Sequence, residues 1–214
     1  MYVSDWMTKK VFTVSPDDYL SDALSLIREK SVKHIPVVKQ GKLKGIISDR
    51  DIKEYSPSKA TALDIYELHY LLATTRIKEI MKTKVATTTP DTPIEEAALV
   101  MLDRGIGCLP VLEGGNLVGV ISDRDIYRAL IDITGVRHGG HRICVIVDDR
   151  PGSIREVADI IRNSGFHLQG VLTSYEGMKE GYRKVVIRTT GKGDFPSLKA
   201  MIERSFKVCD IRKG

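Results

Sequence analysis

Cysteine is scarce in this chain of 214 residues: three are present, Cys108, Cys144 and Cys209, an odd number set far apart. Each lies in an apolar string (GCLPV, RICVIV, FKVCDI), where a free cysteine behaves as a small buried hydrophobe. A disulfide framework is therefore excluded. Long apolar runs are missing too, and nothing approaches the roughly 18 residues that a membrane helix needs. The N-terminal MYVSDWMTKK lacks the basic-then-apolar pattern of a secretory signal, so a cytoplasmic protein with no membrane partner is expected. Catalytic signatures are also lacking: there is no nucleophile elbow, phosphate loop, metal cluster or carboxylate pair in a catalytic role. No catalytic residue, metal or cofactor is assigned, and a non-enzyme is expected.

Aromatic residues are few, at 6% with a single tryptophan. What remains, 42% hydrophobic and 29% charged, describes an ordinary globular chain long enough for more than one small module. The net charge of +5 is unevenly placed. Residues 1–137 carry 19 Lys+Arg against 19 Asp+Glu, whereas residues 138–214 carry 14 against 9. Those basic residues (Arg142, Arg150, Arg155, Arg162, Lys179, Arg183, Lys184, Arg188) are scattered, with few aromatics between them and no reading helix. They read as a solvated basic face, and no nucleic-acid partner is expected.

The strongest signal is an internal repeat. Shifting the chain by 74 residues lays Val3–Ile52 on Ile77–Ile126 without a gap, with 18 identities in 50 pairs. They include Pro36/Pro110 and Val37/Val111, and they close with the shared string Ile-Ser-Asp-Arg-Asp-Ile at 47–52 and 121–126. Each copy reads as strand, helix, strand, strand, helix. The first strand covers 11–14 or 85–88. Ser15-Pro16-Asp17 and Thr89-Pro90-Asp91 then read as helix entries. Helical spacing follows at Leu20, Ala23, Leu24 and Ile27, and at Ile94, Ala97, Ala98 and Met101. Two short apolar strands joined by a tight turn come next, over 34–38 and 43–47 in the first copy.

The chemistry is expected where the last strand meets the last helix. Gly45 and Gly119 permit close approach of the backbone to a ligand. Ser48 and Ser122 can cap the helix, whose first free N–H groups favour an anion. Arg50 and Arg124 add charged donors suited to phosphate, and Asp51 and Asp125 are acceptors of the kind that hold ribose hydroxyls. Ser-x-x-Asp before an apolar helix is also a plain capping box. A cap needs neither the Gly nor the Arg, however, and both copies retain them.

Both copies resemble cystathionine-β-synthase (CBS) motifs, and the pair, over about residues 1–135, resembles a Bateman module. The resemblance implies clefts for adenine nucleotides (AMP, ADP, ATP) or adenosyl ligands. It puts the hydroxyls of Ser48 and Ser122 on phosphate and the carboxylates of Asp51 and Asp125 on ribose, with Gly45 and Gly119 completing the pattern. It places Ile35-Pro36-Val37 and Leu109-Pro110-Val111 beside adenine, and Thr13 and Thr87 on the cleft wall.

The connector, 58–76, carries a helix capped by Thr61 and apolar around much of its circumference, suited to the module's own core or to a second chain. A Gly-rich hinge at 136–141 follows the second motif (77–135), the first motif being 1–57. His138, His141 and Cys144 within and after the hinge do not have the spacing of a closed zinc site. Residues 142–214 read βαββαβ, the order of a ferredoxin-like sandwich. The turn Asp149-Arg150-Pro151-Gly152 resembles that of the ACT domain, which implies an amino-acid or similar effector held there and side-by-side pairing of chains. The fold class expected is α+β: a CBS pair followed by a ferredoxin-like ACT domain, an order that resembles the acetoin-utilisation regulatory proteins. The function implied is a homodimeric, non-enzymatic sensor reporting to an unidentified target protein. The alternative is a dimerisation scaffold that binds no nucleotide.

Overall fold

The structure is a computed structural model that describes residues 1–55 and 65–213. It contains two compact units, Met1–Ile126 and Tyr127–Gly214, the division falling inside a helix that covers Asp123–Ile133.

In the first unit a short helix, Val3–Trp6 (α1), precedes the first repeat: Leu20–Lys30 (α2), His34–Lys39 (β1), Lys42–Ser48 (β2) and Asp49–Tyr55 (α3). The connector helix Ile65–Thr74 (α4) leads to the second repeat: Ile94–Arg104 (α5), Cys108–Glu113 (β3), Asn116–Ser122 (β4) and Asp123–Ile133 (α6). Every strand and helix start keeps the 74-residue spacing. The two hairpins share one register, with Ile35 opposite Ile47 and Val37 opposite Gly45 in the first, and Leu109 opposite Ile121 and Val111 opposite Gly119 in the second. Both shift register at the same place, after Val37 and after Val111. Their turns hold two successive residues at positive φ, Gln40 and Gly41 (52° and 74°) or Gly114 and Gly115 (56° and 77°). That geometry matches the twist of the flanking strands.

Helical spacing sets the core. Leu20, Ala23 and Ile27 on α2 pack with Ile35, Val37, Ile47 and Ile52, and the connector adds Leu72. The connector thus gives one face to its own unit, while Tyr66 and Tyr70 stay exposed. Its expected cap, Thr61, lies outside the described residues.

Two sequence expectations need correction. The strands expected at 11–14 and 85–88 contract to single parallel bridges, Val14 to Val37 and Thr88 to Val111. The reason is that these segments are shared between hairpins. Thr8 bridges to Val120 of the second repeat and Lys82 to Ile46 of the first, which leaves no run long enough to form a strand with either. The Ser-Pro-Asp segment does not start the helix either. The Ser15 N–H donates to Asp18 (2.7 Å) in a closed turn, and α2 begins at Leu20 after Asp22 accepts from the Tyr19 N–H (2.9 Å).

The second unit runs Arg142–Asp148 (β5), Ser153–Asn163 (α7), Phe166–Ser174 (β6), Tyr182–Gly191 (β7), Phe195–Ser205 (α8) and Lys207–Arg212 (β8). The strands form one antiparallel sheet in the order β6-β7-β5-β8. Alternation decides its faces. Ile143, Val145 and Val147 on β5 and Val185 and Ile187 on β7 meet Val157 and Ile161 of α7 and Leu198 and Ile202 of α8. The strand and helix order is the one read from the sequence. In the Gly-rich segment, Gly140 (φ 78°) lies so close to β7 that a Cβ there would meet the Thr189 carbonyl. His141 packs against Phe166 and Phe195, with ring centroids 5.2 Å and 4.0 Å apart. Cys108 and Cys144 are buried as expected, but Cys209 is exposed: it is the extra residue where β8 shifts register against β5, at the edge of the sheet.

Candidate functional site

At the end of β2 the capping box is fully made. Asp51 Oδ2 accepts from the Ser48 N–H (2.8 Å) and hydroxyl (2.5 Å), and the Asp51 N–H donates back to Ser48 Oγ (3.2 Å). The second repeat repeats the arrangement, with Asp125 Oδ2 accepting from the Ser122 N–H (3.0 Å) and hydroxyl (2.7 Å). Both carboxylates are buried. Asp51 has more than a cap requires, because its second oxygen, Oδ1, lies 2.8 Å from Lys82 Nζ on the segment leading into the second repeat. Burial by itself would raise the Asp51 pKa. The hydrogen bonds from Lys82 and Ser48, together with the Lys82 charge, outweigh it and hold the carboxyl below its ordinary value.

These groups line a cleft of about 400 Å³ between the two repeats, inside the range of small-molecule sites. Ser48, Arg50 and Asp51 line it from the first repeat, and Lys82, Lys84 and Ala86 from the segment leading into the second. Lys33, His34 and residues 105–108 complete the lining. Arg50 is well exposed and only loosely paired with Glu54 at 3.9 Å, so its guanidinium is available to the cleft mouth. Burial lowers the His34 pKa against the pull of Asp123 and Asp51, and the ring is neutral at pH 7. Its counterpart Cys108 is buried, and burial with the Asp125 and Asp123 charges pushes that thiol up to about 12. It is therefore no nucleophile. A cation pair facing a carboxylate and a hydroxyl can hold a ligand that carries both an anionic group and neighbouring hydroxyls.

Other residues singled out in the sequence lie elsewhere. Ile35, Val37, Leu109 and Val111 are fully buried core, and Pro36 and Pro110 are buried beside them. Thr13 and Thr87 are exposed on the lead-in segments, Thr87 directly after Ala86. Gly45 and Gly119 do face a close approach, but of protein. A Cβ at Gly45 would sit 2.8 Å from the Lys82 carbonyl oxygen, and one at Gly119 2.6 Å from Met7 Sδ. Arg124 is exposed, and its N–H donates to Asp123 (2.7 Å). Sequence reasoning missed Lys82, Lys84 and Ala86. Their only signal was position, since the repeat places Lys82 and Lys84 just before the first strand of the second copy and Ala86 within it.

In the second unit the turn Asp149–Gly152 follows β5 as expected and is exposed. Asp149 lies 3.5 Å from Arg183, and Arg150 pairs with Glu156 (2.7 Å) and Asp148 (3.6 Å). Gly152 takes φ 89° immediately before α7.

The family model for the CBS domain matches residues 3–58 and 77–132, together just over half of the chain. The chain belongs to the CBS-domain family. Among relatives of this CBS protein, the Bacillus subtilis CBS domain-containing protein YhcV is 34% identical over 124 residues, covering 58% of this chain and 81% of YhcV. A solved structure of a Vibrio cholerae protein assigned to acetoin utilization (AcuB) is 31% identical, with a TM-score of 0.53, and covers 64% of this chain and 96% of that one. The structure of CBSX2 in complex with AMP is 25% identical, with a TM-score of 0.52, and covers 62% of this chain and 97% of that one. The family match ends at residue 132. Among the described residues no helix is long and apolar enough to cross a membrane.

Proposed function

We propose that this CBS protein is a non-enzymatic regulatory sensor whose first cleft binds an adenine nucleotide (AMP, ADP or ATP) or an adenosyl ligand. One observation carries the reading: the Asp51 carboxylate, the Ser48 hydroxyl and the Lys82 and Lys84 ammonium groups converge on one cleft of nucleotide-site size. A phosphate has the Lys and Arg50 charges to meet, and ribose hydroxyls have the Asp51 carboxylate. The AMP held by the similar CBSX2 supports that choice of ligand. The second unit is read as a ferredoxin-like ACT domain. Its antiparallel order β6-β7-β5-β8, with both helices on one face, supports this. An amino acid or similar metabolite is the effector proposed at the Asp149–Gly152 turn. Exposed Leu99 and Leu102, neighbours on one face of α5, support a homodimer. The likeness to the Vibrio cholerae protein supports a target protein in carbon metabolism.

Thermal unfolding with AMP, ADP, ATP and S-adenosylmethionine tests the reading. A ligand at a hundred times its Kd adds about 2.7 kcal/mol of stability. The expected result is a clear rise in Tm with at least one of the four, lost in Asp51→Ala. No rise with any of them leaves the scaffold reading in its place.

A further inference from the structure

The 74-residue symmetry extends to individual backbone hydrogen bonds. The Asp49 N–H donates to the Lys33 carbonyl (3.1 Å) and the Asp123 N–H to that of Gly107 (3.0 Å). The bridge between Ile46 and Lys82 has its counterpart between Val120 and Thr8. The backbone therefore builds two equivalent clefts, one at Asp51 and one at Asp125, and the side chains alone decide whether they are equally open.

They are not equal. The Asp51 cleft is lined by Ala86 and Gly105 among others, and Lys33 belongs to the same lining. The 74-residue register puts Phe12 at the position of Ala86 and Ser31 at that of Gly105 on the Asp125 side. A benzyl group stands for a methyl, and a hydroxymethyl for a hydrogen. The Phe12 ring has Lys30 Nζ 5.7 Å from its centroid. By the same register Lys30 is the counterpart of Arg104, which directly precedes Gly105 of the open cleft. The charges differ as well: the register counterpart of Lys82, which pairs with Asp51, is the uncharged Thr8.

We infer that the chain takes one nucleotide, in the Asp51 cleft, and that Phe12 fills the space a second ligand would need at Asp125. This rests on the nucleotide reading and adds to it the number of ligands, their place and the residues that set both. Binding at one cleft alone makes the sensor asymmetric. The ligand bears on Lys82, and through it on the segment leading into the second repeat, without a matching load on Thr8.

Isothermal titration calorimetry of the full chain with AMP, ADP, ATP and S-adenosylmethionine tests this. Wild-type protein is expected to bind one equivalent. Asp51→Asn, which keeps a capping oxygen, and Ala86→Phe, which copies the closed cleft into the open one, are each expected to weaken binding tenfold or more. Phe12→Ala is expected to raise the stoichiometry towards two, with circular dichroism confirming that each variant is folded. Two equivalents in wild type overturns the inference while leaving the nucleotide reading intact, as does full affinity in folded Ala86→Phe. Binding of none of the four overturns both.

Discussion

The Lys82–Asp51 pair joins the lead-in of the second repeat to the first helix turn of α3, and its contribution can be worked from its geometry. The carboxylate is buried, with a side chain 7% exposed, while the Lys82 side chain is 64% exposed. Fully exposed pairs contribute about 0.2–1 kcal/mol, and breaking a fully buried pair costs about 3–5 kcal/mol. Water screens the Lys82 end here, and Ser48 still donates twice to the carboxylate when Lys82 is gone. The contribution thus falls towards the exposed limit, at about 1 kcal/mol. Urea denaturation of Lys82→Met, Asp51→Asn and the double variant at pH 7 forms the cycle that isolates it. The expected coupling is about 1 kcal/mol, which corresponds to a Tm loss on the order of 4 °C for Lys82→Met.

The pH dependence has a definite sign. The folded Asp51 pKa is below its unfolded value, so the stability it contributes is present above about pH 3.9 and is lost as pH falls through the folded value. The coupling is therefore intact at pH 7 and vanishes once the carboxyl is protonated. A coupling within about 0.3 kcal/mol of zero at pH 7 would refute the reasoning, since that is the error of additivity for independent sites.

Two further outcomes follow from burial. Phe166, 2% exposed among Val145, Ile161, Leu198 and Ile202, is the largest side chain of the second core. Phe166→Ala is expected to cost about 3–5 kcal/mol by calorimetry, and a loss below about 1 kcal/mol would mean that this core is not packed as described. Burial depresses the folded His34 pKa, so its stability contribution is complete above the unfolded value of about 6.5 and declines as pH drops through that value towards the folded one. Urea midpoints between pH 5 and 7.5 should fall more steeply for wild type than for His34→Gln, and parallel slopes would contradict the burial of the ring.

Most of the fold could be read from the chain because its signals are local and doubled. The hydrophobic spacing of α2 and α5, the Gly-containing hairpin turns and the shared ISDRDI string each occur twice, and the structure keeps their spacing. What could not be read depends on contacts distant in sequence. Residues 11–14 carry strand-like composition, yet the backbone before them pairs with β4 of the other repeat, so the strand is reduced to one bridge. Gly45 and Gly119 signalled a close approach, but composition cannot say whether the approaching group is a ligand or Met81–Lys82 and Met7–Thr8. Lys82 and Ala86 gave no motif at all, because their roles come from facing the other repeat across the cleft. Cys209 shares its apolar string with the partly buried Phe206, Val208 and Ile211, and is exposed where β8 shifts register beside it.

The two readings of Ser-x-x-Asp, cap and ligand site, are compatible because a carboxylate has two oxygens. Asp51 assigns Oδ2 to the cap, where Ser48 holds it with two hydrogen bonds, and presents Oδ1 to the cleft, where Lys82 holds it with one. A ligand hydroxyl can take the Oδ1 position without dismantling the start of α3, since only Lys82 has to move. Lys82 is also the group that a phosphate would draw. The cost of freeing Asp51, about the 1 kcal/mol of the ion pair, is thus offset by a new contact of the same lysine to the same ligand. Lys82 also makes the backbone bridge to Ile46 beside Gly45, where a Cβ would meet the Lys82 carbonyl. Ligand occupancy and the seam between the repeats are therefore linked through one side chain, and the linkage has to run both ways: whatever strengthens the seam in the Lys82–Asp51 arrangement must weaken binding by the same free energy.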